Sequence, residues 1–247
     1  MKRPATLSLD LDNQWAYMKT HGDAGWERFP TYLDRVVPRI LGILDELDLE
    51  ITFFVVGKDA ADERNADALQ SLADAGHEIA NHSYWHEPWF DQYDCQETEA
   101  EVEKAEQAIE LATGVRPRGW RGPGFNFTPV LLEVLGSRGY SYDASTFPTY
   151  LGPMARLYYL ATSGLKGEER EKRSGLYGSW TDGFRSLGPY FWNLENRRPL
   201  LEIPVTTAPF LRTPIHASYL LYLATFQPTV ADVYWEMALR ACGWRGI

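Results

Sequence analysis

The chain has 247 residues, of which 45% are hydrophobic and 14% are aromatic, so it is long and apolar enough to fold around a sizeable core. Its formal net charge of −10 argues against a nucleic-acid partner, which would favour a basic surface. No stretch approaches the roughly 18 consecutive apolar residues of a membrane span, so none is predicted.

Predicted strands and helices alternate along the chain. In order they are a strand over 5–12, a helix over 32–48, a strand over 50–57, a helix over 59–75, a short strand over 77–82, a helix over 97–113, a strand over 118–122, a helix that opens at 128–129, strands over 139–145 and 200–207, and a helix over 217–242. Short connections between such elements are typical of a parallel α/β sheet with outer helices, and the length favours a closed or partly closed barrel. We predict a single domain over 1–247.

Residues 151–199 interrupt this alternation. A charged run from Lys166 to Arg173 separates two apolar flanks. The flanks contain Leu157, Tyr158, Tyr159 and Leu160 before the run, and Leu176, Tyr177, Trp180 and Phe184 after it. The plain interpretation is a surface excursion whose apolar side chains pack on the barrel wall. The alternative is a substrate mouth or a membrane-touching segment, because long loops on barrels usually carry function.

Acidic residues and histidines collect where predicted strands end. Asp10 and Asp12 end the first strand, and His82 and His86 follow the third. Two imidazoles four residues apart plus one carboxylate form a three-ligand set that leaves positions open for water and substrate, as a catalytic metal requires, and Zn²⁺ is the ion expected for hydrolysis. Asp10 and Asp12 share strand parity, so one can bind the metal while the other accepts a proton from the attacking water.

The stretch "GWRGPGF" (119–125) adds an arginine and a turn after the fourth strand. Arg121 can pair with the aspartate that acts as the base and hold it ionised and oriented. The glycines of the turn expose backbone N–H groups that can face a developing oxyanion. We therefore predict oxyanion or substrate contacts at Gly124 and Phe125.

Four segments in this order, "SLDLDN", "TFFVVG", "GHEIANHSYWH" and "GVRPRGWRGPGF", resemble the polysaccharide deacetylases of carbohydrate esterase family four. The likeness covers roughly residues 5–147 and extends more loosely to 207. It implies a distorted (β/α) barrel that removes N-acetyl groups from amino sugars with a divalent metal, usually zinc. The D-x-D spacing of the aspartates is closer to the atypical branch of the family than to the adjacent aspartates of chitin and peptidoglycan deacetylases.

The resemblance also implies a role for each site residue. Asp10 matches the general base and Arg121 the arginine that tethers it, while Asp12, His82 and His86 match the metal ligands. The family has a late histidine that acts as general acid, and the only histidine after residue 86 is His216. Either His216 is this acid, or the chain is truncated before the strand that carries it. The helical pattern after His216 favours truncation.

The predicted function is hydrolysis of an N-acetyl or N-formyl amide on an amino sugar of a polysaccharide or glycolipid. The alternatives are a ureide or formamide amidohydrolase of the same fold and a non-catalytic carbohydrate-binding relative. The predicted partners are a divalent metal, most simply Zn²⁺, and an amino-sugar substrate that is lipid-linked if the 151–199 segment touches a membrane. No signal peptide is visible, and the spacing of Cys95 and Cys242 matches no metal or redox motif, so we expect a cytoplasmic location. If the substrate is lipid-linked, we expect the protein to contact the inner membrane surface.

Overall fold

The structure is a computed structural model, and it describes residues 5–162, 167–173, 178–195 and 198–245. Its strands form one seven-stranded sheet in the order β1-β2-β3-β4-β5-β7-β6. Their bounds are β1 Ser8–Leu11, β2 Thr52–Val55, β3 Glu78–Asn81, β4 Gly119–Trp120, β5 Tyr142–Asp143, β6 Tyr190–Trp192 and β7 Leu200–Glu202. The predicted α/β class is confirmed, and each predicted strand is present in a shorter form.

The sheet is parallel except at one edge. All neighbours from β1 to β5, and β5 with β7, pair in parallel, whereas β6 pairs antiparallel with β7. The predicted parallel sheet is therefore confirmed for the six predicted strands, and the antiparallel exception is β6, which was not predicted and which pairs with a strand that follows it after a short connection. Among the described strands, β1 and β6 each have one hydrogen-bonded neighbour, so the barrel is open at that seam and distorted as expected.

Ten described helices surround the sheet. They are α1 Gln14–His21, α2 Leu33–Glu46, α3 Gly57–Ala60, α4 Ala66–Asp74, α5 Cys95–Thr113, α6 Pro129–Arg138, α7 Gly152–Thr162, α8 Gly167–Lys172, α9 Ala217–Phe226 and α10 Pro228–Arg245. Two long predicted helices are divided. The one over 59–75 is interrupted by a 3-10 turn that Asp62 caps, and the one over 217–242 restarts at Pro228, which lacks the N–H that a continuous helix would need.

The main core lies between the first three strands and the helices that connect them. Phe53, Val55 and Ile79 project from β2 and β3 and pack against the apolar faces of α2 and α4. Leu33, Val37, Leu44, Leu69 and Leu72 complete that layer. A buried and tightly packed layer of this kind fixes the strands in register, and therefore fixes the strand ends where the polar residues lie.

The excursion over 151–199 contains α7, α8, a 3-10 turn over Trp180–Phe184 and β6. Leu157 and Tyr158 are more than 70% exposed, so they do not pack on the barrel wall, whereas the Tyr159 hydroxyl donates to the Thr20 carbonyl at 2.6 Å. Leu176 and Tyr177 lie outside the described residues. Within the described part of the chain, no helix is both long enough and apolar enough to cross a membrane.

Candidate active site

Three side chains meet above the carboxyl edge of the sheet, one from the end of β1 and two from the loop after β3, the strands on either side of β2. His82 Nε2 lies 3.6 Å from Asp12 Oδ1, and His86 Nε2 lies 3.4 Å from Asp12 Oδ2. One ligand atom from each residue lies within 4.8 Å of the other two. The two histidine rings are nearly buried, and the structure therefore brings together the three residues predicted to bind metal.

The loop after β3 has an unusual backbone conformation, which positions His86 beside Asp12. Ser83 and His86 both have positive φ angles, 62° and 53°, a region that residues with a Cβ seldom occupy. Asn81 Oδ1 accepts the Ser83 amide at 2.9 Å, and Ser83 Oγ accepts the His86 amide at 3.0 Å. Two such conformations cost energy and persist only where the surroundings impose them, which is common at functional sites. The loop is thus shaped to aim His86 at Asp12.

A buried glutamate on α5 also supports this loop. Glu101 Oε1 accepts the amides of Tyr84 and Trp85 at 2.9 and 2.6 Å. A charged residue in the middle of a helix is expected to lie on its solvent-exposed face, and nothing in the local sequence indicated that Glu101 is buried. Burial is the first influence on Glu101 and raises its pKa, although the two amides oppose this.

The electrostatics of the three residues are coupled. Burial alone would raise the pKa of Asp12, but His86 and His82 hold that pKa well below its usual range. Burial lowers the pKa of His82, which also bonds through Nδ1 to the Arg121 carbonyl at 2.7 Å. This bond directs Nε2 of His82 towards Asp12, the arrangement by which a partner of one ring nitrogen orients the other nitrogen for a metal. For His86, the attraction of Asp12 overcomes burial and raises the pKa.

Arg121 holds the second aspartate of the predicted site. Its Nη1 donates to Asp10 Oδ1 at 2.7 Å and its Nη2 to Ser8 Oγ at 3.0 Å. Its Nε donates to the Ala144 carbonyl at 3.1 Å, and its guanidinium lies 4.1 Å from the centre of the Phe54 ring. The planar group is fixed on every side, so it presents one orientation to Asp10.

The turn after Arg121 differs from expectation at one amide. Phe125 N donates to the Gly122 carbonyl at 2.9 Å, so this N–H is occupied within the turn and does not face an oxyanion; that part of the expectation for Phe125 is corrected. Gly124 and Phe125 have φ angles of 61° and 60°, which close the turn tightly. The Phe125 ring instead lines a cavity of about 290 Å³ together with Gly124 and His216.

His216 lies at this cavity, immediately before α9. Its Nδ1 accepts the Ser218 amide at 3.3 Å and so caps the helix. An Nδ1 that accepts carries no proton, so the neutral ring holds its proton at Nε2. Burial lowers the pKa of His216, the charge of Asp10 opposes this, and the charge of Arg121 adds to it.

Sequence reasoning missed Tyr17. This residue lies on α1, where no helix was predicted, and its hydroxyl donates to Asp12 Oδ2 at 2.9 Å. Burial, and then the Asp12 carboxylate, raise the pKa of Tyr17, so the phenol stays a hydrogen-bond donor. The only signal in the sequence was its distance of five residues from Asp12, which by itself indicates nothing.

The donor set fits a divalent cation. Two imidazole nitrogens and a carboxylate oxygen are ligands that Zn²⁺ accepts. Asp12 Oδ1 is buried and has no hydrogen-bond partner among the described residues, and a buried carboxylate oxygen without a partner is costly. A cation bound between Asp12, His82 and His86 would remove that cost.

Comparison with known proteins agrees with this geometry. Residues 22–142 match the family model described as polysaccharide deacetylase. The match includes His82, His86 and Arg121, whereas Asp10, Asp12 and His216 lie outside it. A peptidoglycan deacetylase-like protein, FGM2 of Gibberella zeae, is 29% identical over 69% of this chain and 51% of its own length. The peptidoglycan deacetylase of Helicobacter pylori is 30% identical over 44% of this chain and 36% of its own length.

The likeness in three dimensions extends further along the chain. A solved Mycobacterium smegmatis structure, named as a polysaccharide deacetylase, is 24% identical, covers 92% of this chain and 72% of its own, and superposes with a TM-score of 0.60. At that identity the likeness concerns the fold. The chain spans about half, or less, of the length of the two curated relatives it matches.

Proposed function

We propose that this chain is a member of the polysaccharide deacetylase family and a metal-dependent hydrolase that removes an N-acetyl or N-formyl group from an amino sugar. The observation that carries the proposal is the placement of Asp10, paired with Arg121, beside the Asp12, His82 and His86 cluster. A base and a metal-ligand set at neighbouring strand ends are the two parts that hydrolysis of an amide requires. The names of the curated relatives support an amino-sugar polymer as the substrate class.

Each residue has a role in this proposal. Asp12, His82 and His86 hold a divalent ion, most simply Zn²⁺, which when bound supplies Lewis-acid polarisation of the scissile carbonyl. Asp10 accepts a proton from the attacking water, and Arg121 keeps the carboxylate oriented. The Gly124 amide is assigned to the developing oxyanion, since the Phe125 amide is used by the Gly122 carbonyl.

His216 completes the proposed reaction as the general acid. Its Nε2 carries the proton of the neutral ring and is not used by the helix cap, so it can donate to the leaving amine. The placement of His216 at the cavity that Gly124 and Phe125 also line supports this role. That the chain forms one domain stays a prediction.

The proposed function is tested by acyl release. Purified protein is stripped with a chelator, reloaded with Zn²⁺, and incubated with N-acetylglucosamine oligomers, N-formylglucosamine and a ureide such as allantoin. We expect acetate or formate to be released only by the reloaded protein. Turnover of the ureide alone would favour the amidohydrolase alternative, and turnover of nothing, with zinc bound, would favour a non-catalytic relative.

The His216→Asn variant separates proton donation from helix capping. Asparagine is a good N-cap, so α9 keeps its cap, but its amide cannot act as an acid near neutral pH. We expect turnover to fall by about 10²–10⁴-fold. His216→Ala should lose the same turnover and also about 1 kcal/mol of stability, measured as the free energy of unfolding in urea. An asparagine variant with parental turnover would remove His216 from the mechanism.

A lipid-linked amino sugar at a membrane surface is the finer form of this proposal. The exposed Leu157 and Tyr158 on α7 and Trp180 and Phe184 in the following turn support it, since exposed apolar side chains this numerous often contact a partner or lipid. Faster turnover of N-acetylglucosamine with an octyl group than with a methyl group at the anomeric carbon would support this form, and equal turnover of the two would count against it.

A further inference from the structure

The cavity beside His216 is larger and less polar than removal of an acetyl group requires. Its volume is about 290 Å³, and a group the size of a water or methyl occupies on the order of 30 Å³. The described side chains that line it away from the turn are mostly aromatic or aliphatic, among them Phe127, Phe147, Leu151, Ala155 and Tyr219. There is room for several methylene groups next to the residues that are proposed to act on the amide.

Two polar side chains of this cavity, Thr149 and Asp182, already have hydrogen-bond partners. Thr149 Oγ1 accepts the Leu151 amide at 3.1 Å. Asp182 accepts Arg185 Nε at 2.8 Å and the Ser179 amide at 2.7 Å. A second sugar ring would need partners for several hydroxyl groups, and a buried hydroxyl without a partner costs more than its burial gains. A hydrocarbon chain has no such requirement.

The cavity also continues towards the surface. A second apolar depression shares Leu151, Ala155 and Tyr219 with it and is bordered by Met154 and Tyr158 of α7. Met154 and Tyr158 are among the exposed large side chains of the molecule. An apolar path therefore leads from Phe125, beside the proposed acid, between α7 and α9 to the surface. A chain longer than the cavity can follow that path.

We infer that the cavity between the 122–125 turn, α7 and α9 is a subsite for a hydrocarbon chain of the substrate. The inference rests on the proposed function, because it assigns the substrate class of the same site. This hydrocarbon chain of the substrate has two possible origins: an N-acyl group longer than acetyl, or an alkyl group on the anomeric carbon of the sugar. Both present the same methylene groups to Phe147, Leu151 and Tyr219.

Two substrate series distinguish these origins. The first is glucosamine with N-acyl groups of two, four and six carbons, and the second is N-acetylglucosamine with methyl, butyl and octyl groups at the anomeric position. Each buried methylene is worth about a fourfold gain in kcat/KM, so along the series whose chain enters the cavity we expect a rise on the order of 10²-fold from two to six acyl carbons, or on the order of 10⁴-fold from methyl to octyl. A rise in only one series identifies the origin of the chain, and two flat series overturn the inference.

A variant whose side chain fills the cavity tests the subsite most directly. In Ala155→Phe, with the milder Ala155→Leu beside it, the ratio of kcat/KM for the longest to the shortest substrate should fall towards one. Ala100→Phe, on the exposed face of α5, is the matched control and should keep the parental ratio. A parental ratio in both Ala155 variants overturns the inference.

Binding of decanoic acid, measured by calorimetry on protein without metal, is independent of turnover. We expect binding by the parent and by Ala100→Phe, and its loss in Ala155→Phe. If no amide is hydrolysed by any form, the proposed function fails while this measurement still decides the subsite. Absence of decanoate binding in that case overturns the subsite as well.

Discussion

The Asp10→Asn variant is expected to turn over substrate about 10²–10⁴-fold more slowly than the parent while retaining its metal. The asparagine side-chain oxygen can still accept the bond that Arg121 Nη1 now donates to Asp10 Oδ1 at 2.7 Å, so the local packing is preserved. What is lost is the ability to accept a proton from water. Side-by-side steady-state kinetics and elemental analysis of zinc measure the two halves of this prediction.

Asp12→Asn is the matched comparison, since it makes the same chemical change two residues along the chain. It should lose zinc, because a neutral amide oxygen replaces the only carboxylate of the ligand set. If Asp10→Asn loses zinc and Asp12→Asn keeps it, the two aspartates have been assigned in reverse. If neither variant loses turnover, the base lies elsewhere.

The location of the site could be predicted from the sequence because parallel strands impose it. Asp10 lies near the end of β1, His82 and Arg121 directly follow β3 and β4, and the carboxyl ends of parallel strands share one edge of the sheet. The alternation of hydrophobic residues was sufficient to identify those strands. The exact strand ends were less predictable, since β4 and β5 are only two residues long.

The parts that could not be predicted depend on contacts between distant residues. Helix α1 has little amphipathic pattern and forms where Trp15 and Ala16 are buried with Val56, which follows β2. Glu101 is buried because the amides of Tyr84 and Trp85 point at it, and leaving such groups without partners costs about 1–3 kcal/mol each. Neither fact has a local signature, because propensity is a weak guide where tertiary packing decides.

Contacts between distant residues also explain why the role of His216 could not be predicted from the sequence. The sequence after it is helical, and a helix-capping residue is an ordinary feature that suggests no chemistry. Its place beside Phe125 depends on how α9 folds back over the 122–125 turn, which brings together residues about 90 positions apart in sequence. A search for a histidine at the end of a strand therefore overlooks it.

The His82→Ala variant is expected to lose bound zinc. Substitution of residues that only support a metal ligand typically weakens metal affinity by about 10–100-fold, so removal of a ligand should cost more than that. His77→Ala is the matched control, because His77 is also a buried histidine but accepts the Ile51 amide and contacts Phe53, away from Asp12. Zinc is measured by elemental analysis after dialysis, and the folded fraction by circular dichroism.

Comparison with Asp10→Asn separates loss of the metal from loss of the base. Both variants should lose most of their turnover, but for different reasons: Asp10→Asn keeps zinc and lacks a base, whereas His82→Ala keeps the base and lacks zinc. His82 also bonds to the Arg121 carbonyl, so its loss could loosen the arginine. His86→Ala, which has no such bond, controls for this and should lose zinc equally. Equal zinc in His82→Ala, His86→Ala and the parent would refute the ligand assignment, because each variant keeps only two of the three proposed ligands.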